Sequence, residues 1–266
     1  NITRYNYFMK QHENYKELIW MLAKTDFKLR YHGSVLGYLW ALLKPLLTFA
    51  VLNFVFSAAF GPRGTGDSTY ALGLLVGLMM FYFFSEGTNA GMHSLLSKSQ
   101  LVTKIYVPRW AIILASTINS VMIFLMNLLV IAFFFAIKGF MPSLPAIGMF
   151  LLFSFFIYII ILSFALITAP LYVRFRDLSM IWDVVLMIVM YASPIIYPLS
   201  LLPAKTHPFI LLNPFAFIVH FTKESMLNNR FADLHQYALF ISIVFGAFIL
   251  SIFSYRKFIP KVAEEI

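Results

Sequence analysis

From Val35 onward the sequence alternates between apolar blocks long enough to cross a lipid bilayer and short polar turns that belong in water. An α-helix rises about 1.5 Å per residue, so about 20 apolar residues cover the roughly 30 Å of bilayer hydrocarbon. Inside that layer each backbone N–H and C=O must be paired within its own segment, which makes these blocks helices. They fall at about Val35 to Phe60, Tyr70 to Met92, Ala111 to Ile137, Ala146 to Tyr172, Ile181 to Ala192 and Tyr237 to Tyr255. The expected fold is an all-α membrane protein with six transmembrane helices. The fifth block has only twelve residues, and it crosses only by taking in apolar residues beyond Pro194.

The totals exclude the other classes. Of 266 residues, 61% are hydrophobic and only 12% charged, against about 25% charged in a soluble domain. The net charge of +9 reads, in a chain this apolar, as loops facing anionic lipid and not as a nucleic-acid surface. Zero cysteines exclude disulfides, thiolate metal sites and thiol nucleophiles. The first thirty-odd residues mix Lys, Glu, Gln and Asn throughout, unlike the apolar core of a signal peptide.

Residues 1–34 form the first of two expected units. Tyr15, Leu18, Ile19, Leu22 and Leu29 recur near helical spacing among Lys16, Glu17, Lys24, Asp26 and Lys28, the pattern of an amphipathic helix lying on a membrane. Lys28 and Arg30 suit anionic headgroups, and Tyr38 and Trp40 suit the boundary between water and hydrocarbon. Gly33, Gly37 and Ala41 recur every fourth residue, which predicts a helix face stripped of bulk. Pro45 is expected to bend that helix.

The second unit, residues 35–266, is one membrane domain. Gly73 with Gly77, and Gly87 with Gly91, predict tight helix packing in the second span. Glu86, Asn89 and His93 share one face of it; an ionisable group at that depth is a functional hypothesis by default, but a hydrogen bond to a neighbouring helix is the preferred reading. A short helix is expected within Leu95 to Trp110, before Val107-Pro108-Arg109. Prolines at 194, 198, 203, 208 and 214 break the stretch from Ser193 to Gln236 into short, partly re-entrant outer helices. Of the 20 Lys and Arg, fourteen fall on one side of this map and five on the other (Arg63, Lys138, Lys205, Lys223, Arg230), with Lys44 inside the first span. Both termini are therefore expected in the cytoplasm.

Familiar catalytic patterns are missing. No G-x-x-x-x-G-K-[ST] phosphate loop occurs, so any ATP is hydrolysed elsewhere. The six histidines show no metal-ligand spacing, and no G-x-S-x-G elbow is present. A membrane-embedded glycosyl- or acyltransferase would need an acid and base pair, and Asp67, Asp233, Glu224 and His207 form no such pattern. An ion-coupled transporter would usually show inverted repeats and midplane charges, and beyond Glu86 few are present. What remains is a wealth of aromatics, 30 Phe, 14 Tyr and 4 Trp. Most serve packing and interface belts, but aromatic faces also stack on the C–H faces of sugar rings.

The string D-F-K-L-R-Y-H-G-S-V-L-G-Y-L-W-A-L-L-K-P-L-L resembles the entry segment of permease subunits in ABC-type (ABC-2) polysaccharide exporters, which move O-antigen, capsule and teichoic acid chains. The likeness continues through Val107-Pro108-Arg109, R-F-R-D-L from Arg174, S-P-I-I-Y from Ser193 and N-P-F from Asn213, so it covers nearly the whole chain. It implies a permease of the bacterial inner membrane that works as two copies joined to two ATP-binding cassette subunits. ATP and Mg would sit on those partners, and this chain would bind no cofactor or metal. A lipid-linked polysaccharide would pass between the copies near the first and fifth spans, where Tyr38, Trp40, Phe49, Phe56, Met187, Tyr191 and Tyr197 are the candidate lining. Coupling to the ATPases would run through Lys98, Lys104, Arg109, Arg174, Arg176 and Asp177; a local ion pair with Asp183 is the alternative role for the Arg174 turn. Export of a lipid or a drug is the neighbouring alternative.

Overall fold

The computed structural model describes residues 15–60, 69–100 and 107–262. Among them are nine α-helices and no strand. In chain order these are α1 (Tyr15–Tyr31), α2 (Trp40–Phe60), α3 (Thr69–Ser97), α4 (Arg109–Ile137), α5 (Leu144–Arg174), α6 (Leu178–Ala192), α7 (His207–Leu211), α8 (Pro214–Asn228) and α9 (Leu234–Phe258). Among the described residues, α3, α4, α5 and α9, together with Gly37–Ala58 of the α2 region, are long and apolar enough to cross a membrane.

The sixth expected span is shorter. α6 has 15 residues, about 22 Å of rise, and ends at Ser193 with φ −94° and ψ 147°. Pro194 is the cause, because its ring disfavours the helical conformation in the residue before it. The helix therefore ends at Ala192, where the apolar block of the sequence ends. The chain then turns, and Lys223 Nζ donates to the carbonyls of Pro194 (2.9 Å) and Ile195 (3.1 Å) while Tyr70 Oη donates to that of Ile196 (2.8 Å).

Helix starts at this end of the bundle are set locally. Asn213 Oδ1 accepts from Phe215 N at 3.0 Å ahead of Pro214, and Asp233 with Gln236 closes a reciprocal capping box on α9. Both arrangements satisfy N–H groups that no helical turn can reach. α8 closes on Asn229 in the left-handed conformation (φ 53°), and Ser143 Oγ donates to its Oδ1 at 2.7 Å, tying α8 to the start of α5.

α3 is the axis of the bundle, packed by α2, α4, α5, α6 and α8. Its glycines behave as their spacing predicts. A Cβ on Gly91 would lie 2.4 Å from Ala165 Cβ, and one on Gly87 would lie 2.6 Å from Ile161 Cδ1 and 2.9 Å from Ser120 Oγ. The backbones of α3, α4 and α5 therefore approach as only glycine permits. α8 lies antiparallel along the other half of α3: the Phe215 ring stacks on Phe84 at 4.7 Å, Val219 meets Gly77, and Leu227 meets Gly73.

The small-residue stripe expected at the entry is not formed. Residues 32–36 are not helical, Gly33 (φ 80°) and Gly37 (φ 50°) adopt the left-handed conformation, and nothing lies within 4 Å of a Cβ placed on either. These glycines serve a turn, not a helix contact. α1 is docked on the bundle through Ile19 and Ala23, which bury against Ala111 and Ala115 of α4, while Trp20, Met21 and Leu29 point outward.

Candidate functional site

Several helices leave apolar faces uncovered by their own chain, and those of α2 and α6 hold most of the candidate lining residues. The exposed residues of α2 include Trp40, Lys44, Leu47, Val51 and Phe54, spaced by three or four, so these five form one stripe along the helix. Those of α6 include Met180, Val184, Met187, Ile188 and Tyr191, while Trp182 and Leu186 pack inward. There Trp182 Nε1 donates to Thr88 Oγ1 at 3.1 Å and its ring lies 3.9 Å from that of Phe164.

The candidate lining residues divide accordingly. Trp40, Met187 and Tyr191 lie on these faces, and Tyr38 is exposed just before α2, stacked on Phe27 at 5.0 Å. Tyr197 is half-buried and donates its hydroxyl to Tyr191 O at 3.1 Å. Phe49 is a correction: it is 7% exposed and meets Phe134 edge-on at 5.5 Å, so it fills the contact between α2 and α4. Phe56 also packs against the core. Phe54, 84% exposed, takes their place on the stripe. Counting from Trp40 in steps of four and three reaches Phe54 and misses both Phe49 and Phe56, so the signal was present in the spacing.

At the foot of the α2 stripe sits a charge cluster. Glu86 of α3 is bonded to Arg30 at the end of α1, and Lys44 Nζ of α2 stands 3.9 Å from the same carboxylate. Lys44 also lies over the Tyr82 ring at 5.8 Å, and Tyr82 shares a hydrogen bond with Thr48 at 2.7 Å. A cleft of about 40 Å³ adjoins them, lined by Trp40, Pro45, Tyr82, Glu86 and Asn127 among others. Asn127 Oδ1 is buried there without a hydrogen-bond partner. The sequence placed Glu86 in the second span but gave no sign that the interfacial helix would reach it.

The basic end of the bundle holds the other candidates. Lys98 is turned inward, its side chain 12% exposed, bonded to Asp26 of α1 and to Ser116 Oγ at 3.1 Å. Arg109 donates to Ile259 O at 2.8 Å, joining the start of α4 to the end of α9. Both act within the chain, as braces between elements. Arg174, Arg176 and Asp177 are exposed in the turn between α5 and α6. Neither arginine forms a salt bridge with Asp183, the alternative that the sequence suggested. Lys104 lies outside the described residues. No group of three or more His, Cys, Asp or Glu among the described residues is arranged to hold a metal ion.

Comparison with known proteins matches residues 17–227 to the model of the ABC-2 type transporter family. An O-antigen export system permease protein of Klebsiella pneumoniae, RfbA, is 27% identical over 252 residues, covering 90% of this chain and 93% of that protein. The RfbA permease of Myxococcus xanthus is 25% identical over 260 residues, covering 95% and 96%. The polysialic acid transport protein KpsM of Escherichia coli is 22% identical over 219 residues, covering 80% and 82%.

Proposed function

Because the chain belongs to the ABC-2 type transporter family, we propose that it is the permease subunit of an ATP-driven exporter of a lipid-linked polysaccharide. The observation that carries this reading is end-to-end similarity to permeases whose names specify O-antigen and polysialic acid. Two copies form the conduit, each contributing the uncovered faces of α2 and α6. Trp40, Phe54, Met187 and Tyr191 line it, offering flat aromatic and soft apolar surface on which sugar rings slide without strong polar contacts.

ATP and Mg are held by two separate ATP-binding cassette subunits on the cytoplasmic side, where both termini lie. Positive charge supports this orientation: Arg174 and Arg176 precede α6, and Arg256 and Lys257 close α9, at the end where α1 docks. The exposed Arg174, Arg176 and Asp177 are the docking surface for an ATPase. Lys98 and Arg109 transmit its movement, because they brace α3 to α1 and α4 to α9. α6, 15 residues long, completes a sixth crossing together with the turn after Pro194, and α7 with α8 forms a re-entrant hairpin in the outer leaflet.

The test is reconstitution in proteoliposomes, with and without a cassette subunit. The chain alone should hydrolyse no ATP, whereas the pair should hydrolyse it and deliver labelled lipid-linked polysaccharide to the vesicle lumen. ATP hydrolysis by the purified chain, or delivery without the cassette subunit, overturns the reading.

A further inference from the structure

The space between α7, α8 and α9 belongs to no part of the transport path. A cavity of about 420 Å³ lies there, walled by Leu211, Phe217, Phe221, Leu239, Phe240 and Ile243 among others, and the rings of Phe217 and Phe240 stack at 4.7 Å. Its size is that of a small-ligand site. Voids in a packed interior rarely exceed a water molecule, and one with apolar walls does not draw in water. Leu212 and Leu239 line the cavity and are also exposed on the outside of the chain, so it opens to the surroundings. Val219, next to His220, meets Gly77, eight residues from the start of α3 at Thr69. That is about 12 Å along the helix, a level at which the surroundings are hydrocarbon.

Three lining residues are polar: His207, His220 and Gln236. A ring nitrogen of His207 is already paired with Leu202 O at 3.0 Å, and Gln236 Oε1 accepts from Asp233 N at 3.0 Å. The Gln236 amide nitrogen and the His220 ring nitrogens have no hydrogen-bond partner among the described residues, which leaves an N–H donor on each. No Lys, Arg, Asp or Glu lines the cavity. The site therefore asks for an apolar body carrying uncharged acceptors.

We propose that this cavity is a phospholipid site, which takes one acyl chain between its walls while His220 and Gln236 donate to the carbonyl oxygens of the glycerol esters. An ester carbonyl accepts hydrogen bonds without bearing charge. A phosphate or a free carboxylate would need a cation that the walls do not supply. A plain hydrocarbon chain would fill the space but leave both donors unpaired at membrane depth, which is costly. The bound chain makes the dispersion contacts that the cavity lacks, and so it joins α7 and α8 to α9 by packing that the protein's own side chains do not provide. The proposal rests on the transport reading only in setting α7 and α8 in the outer leaflet. It is separate from the faces of α2 and α6, along which the substrate passes.

The experiment is photolabelling of the full chain in detergent micelles, with a trace of diester phosphatidylcholine that carries a diazirine on one acyl chain. Mass spectrometry maps the adducts. They should concentrate on α7, α8 and the first half of α9, and outnumber those on the apolar faces of α2 and α6. Unlabelled diester phosphatidylcholine should displace the label. The diether lipid with the same chains and headgroup should need about fivefold more to do so, because it lacks the carbonyl acceptors. Leu239→Trp, which sets an indole into the space from an exposed position, should remove most of this labelling and leave that of α2 and α6 unchanged. His220→Phe should shrink the preference for diester over diether. Labelling spread evenly over all exposed faces, labelling untouched by Leu239→Trp, or equal displacement by the two unlabelled lipids overturns the proposal. If neither variant folds, the two lipids decide on the unmodified chain. No ATPase or polysaccharide enters this assay, so failure of the exporter reading leaves its result legible.

Discussion

α3 and α2 are both helices fit to cross a membrane, yet 78% of the most apolar 18-residue window of α3 is buried in the bundle and only 17% of that of α2. Apolarity does not separate them. In a bilayer, lipid tails are as apolar as leucine, so a helix reaches the interior by how closely its backbone can be approached. α3 carries Gly87 and Gly91 where α4 and α5 press in, and α2 carries Leu47, Val51 and Phe54 on a face that lipid or another copy can cover. What sets α3 apart is therefore not the size of its side chains, since Met79, Phe83 and Phe84 are buried as in any core, but glycines placed where α4 and α5 cross it.

The largest expected effect tests α3. At Gly91 even a methyl group would sit 2.4 Å from Ala165 Cβ, a contact that no rotamer relieves. Gly91→Leu should cost at least about 3 kcal/mol and leave little monodisperse protein after detergent extraction, whereas Val51→Leu on α2 should purify at the normal yield. Equal yields from the two would break the comparison.

A second pair sharpens it within one helix. Phe49 and Phe54 lie five residues apart on α2, one 7% and the other 84% exposed. Phe49→Ala should lower stability by about 3 kcal/mol or more, from the cavity left against Phe134. Phe54→Ala should change subunit stability by less than about 0.5 kcal/mol. If α2 meets a second copy, however, Phe54→Ala should weaken association about tenfold, as loss of an aromatic anchor does. Melting temperature reads the first effect, and subunit counting by photobleaching in nanodiscs reads the second.

These residues also show what the sequence could disclose. The i, i+4 glycine pairs of α3 were legible because close packing of helices needs them, but the same spacing at Gly33, Gly37 and Ala41 was misleading. A glycine serves a positive φ as readily as a helix contact, and spacing alone does not separate the two uses. α6 was legible both as apolar and as short, because Ser193 ahead of Pro194 marks its end at Ala192. Aromatic character alone does not separate Phe49 from Phe54, whereas their angular positions on α2 do. The Glu86 cluster joins residues 56 positions apart, and only the docking of α1 on α4 brings them together.

A third prediction turns on the entry glycines. Gly33→Ala and Gly37→Ala meet no neighbour within 4 Å, so their cost comes from the left-handed backbone alone, about 1–2 kcal/mol each. Both should fold, with a melting temperature lowered in proportion. A loss as deep as that of Gly91→Leu would mean that this turn is packed against something the single chain does not show.

The smallest effect is the one that best distinguishes the two halves of α3. At Gly77 a Cβ would rest 3.4 Å from Ile195 Cγ2 and from Val219 Cγ1, ordinary contact with side chains of the turn after α6 and of α8. Alanine in a helix interior is favoured over glycine by roughly 0.5–1 kcal/mol, which offsets any slight crowding there. Gly77→Ala should therefore leave the melting temperature unchanged or raise it slightly, although it lies on the same buried helix as Gly91. Where α4 and α5 hold α3, a Cβ on Gly91 or Gly87 would overlap its neighbours; at Gly77, between α8 and the turn after α6, the neighbours stand at ordinary contact distance. A strong loss at Gly77 would mean that α8 and that turn are seated on α3 as tightly as the long helices.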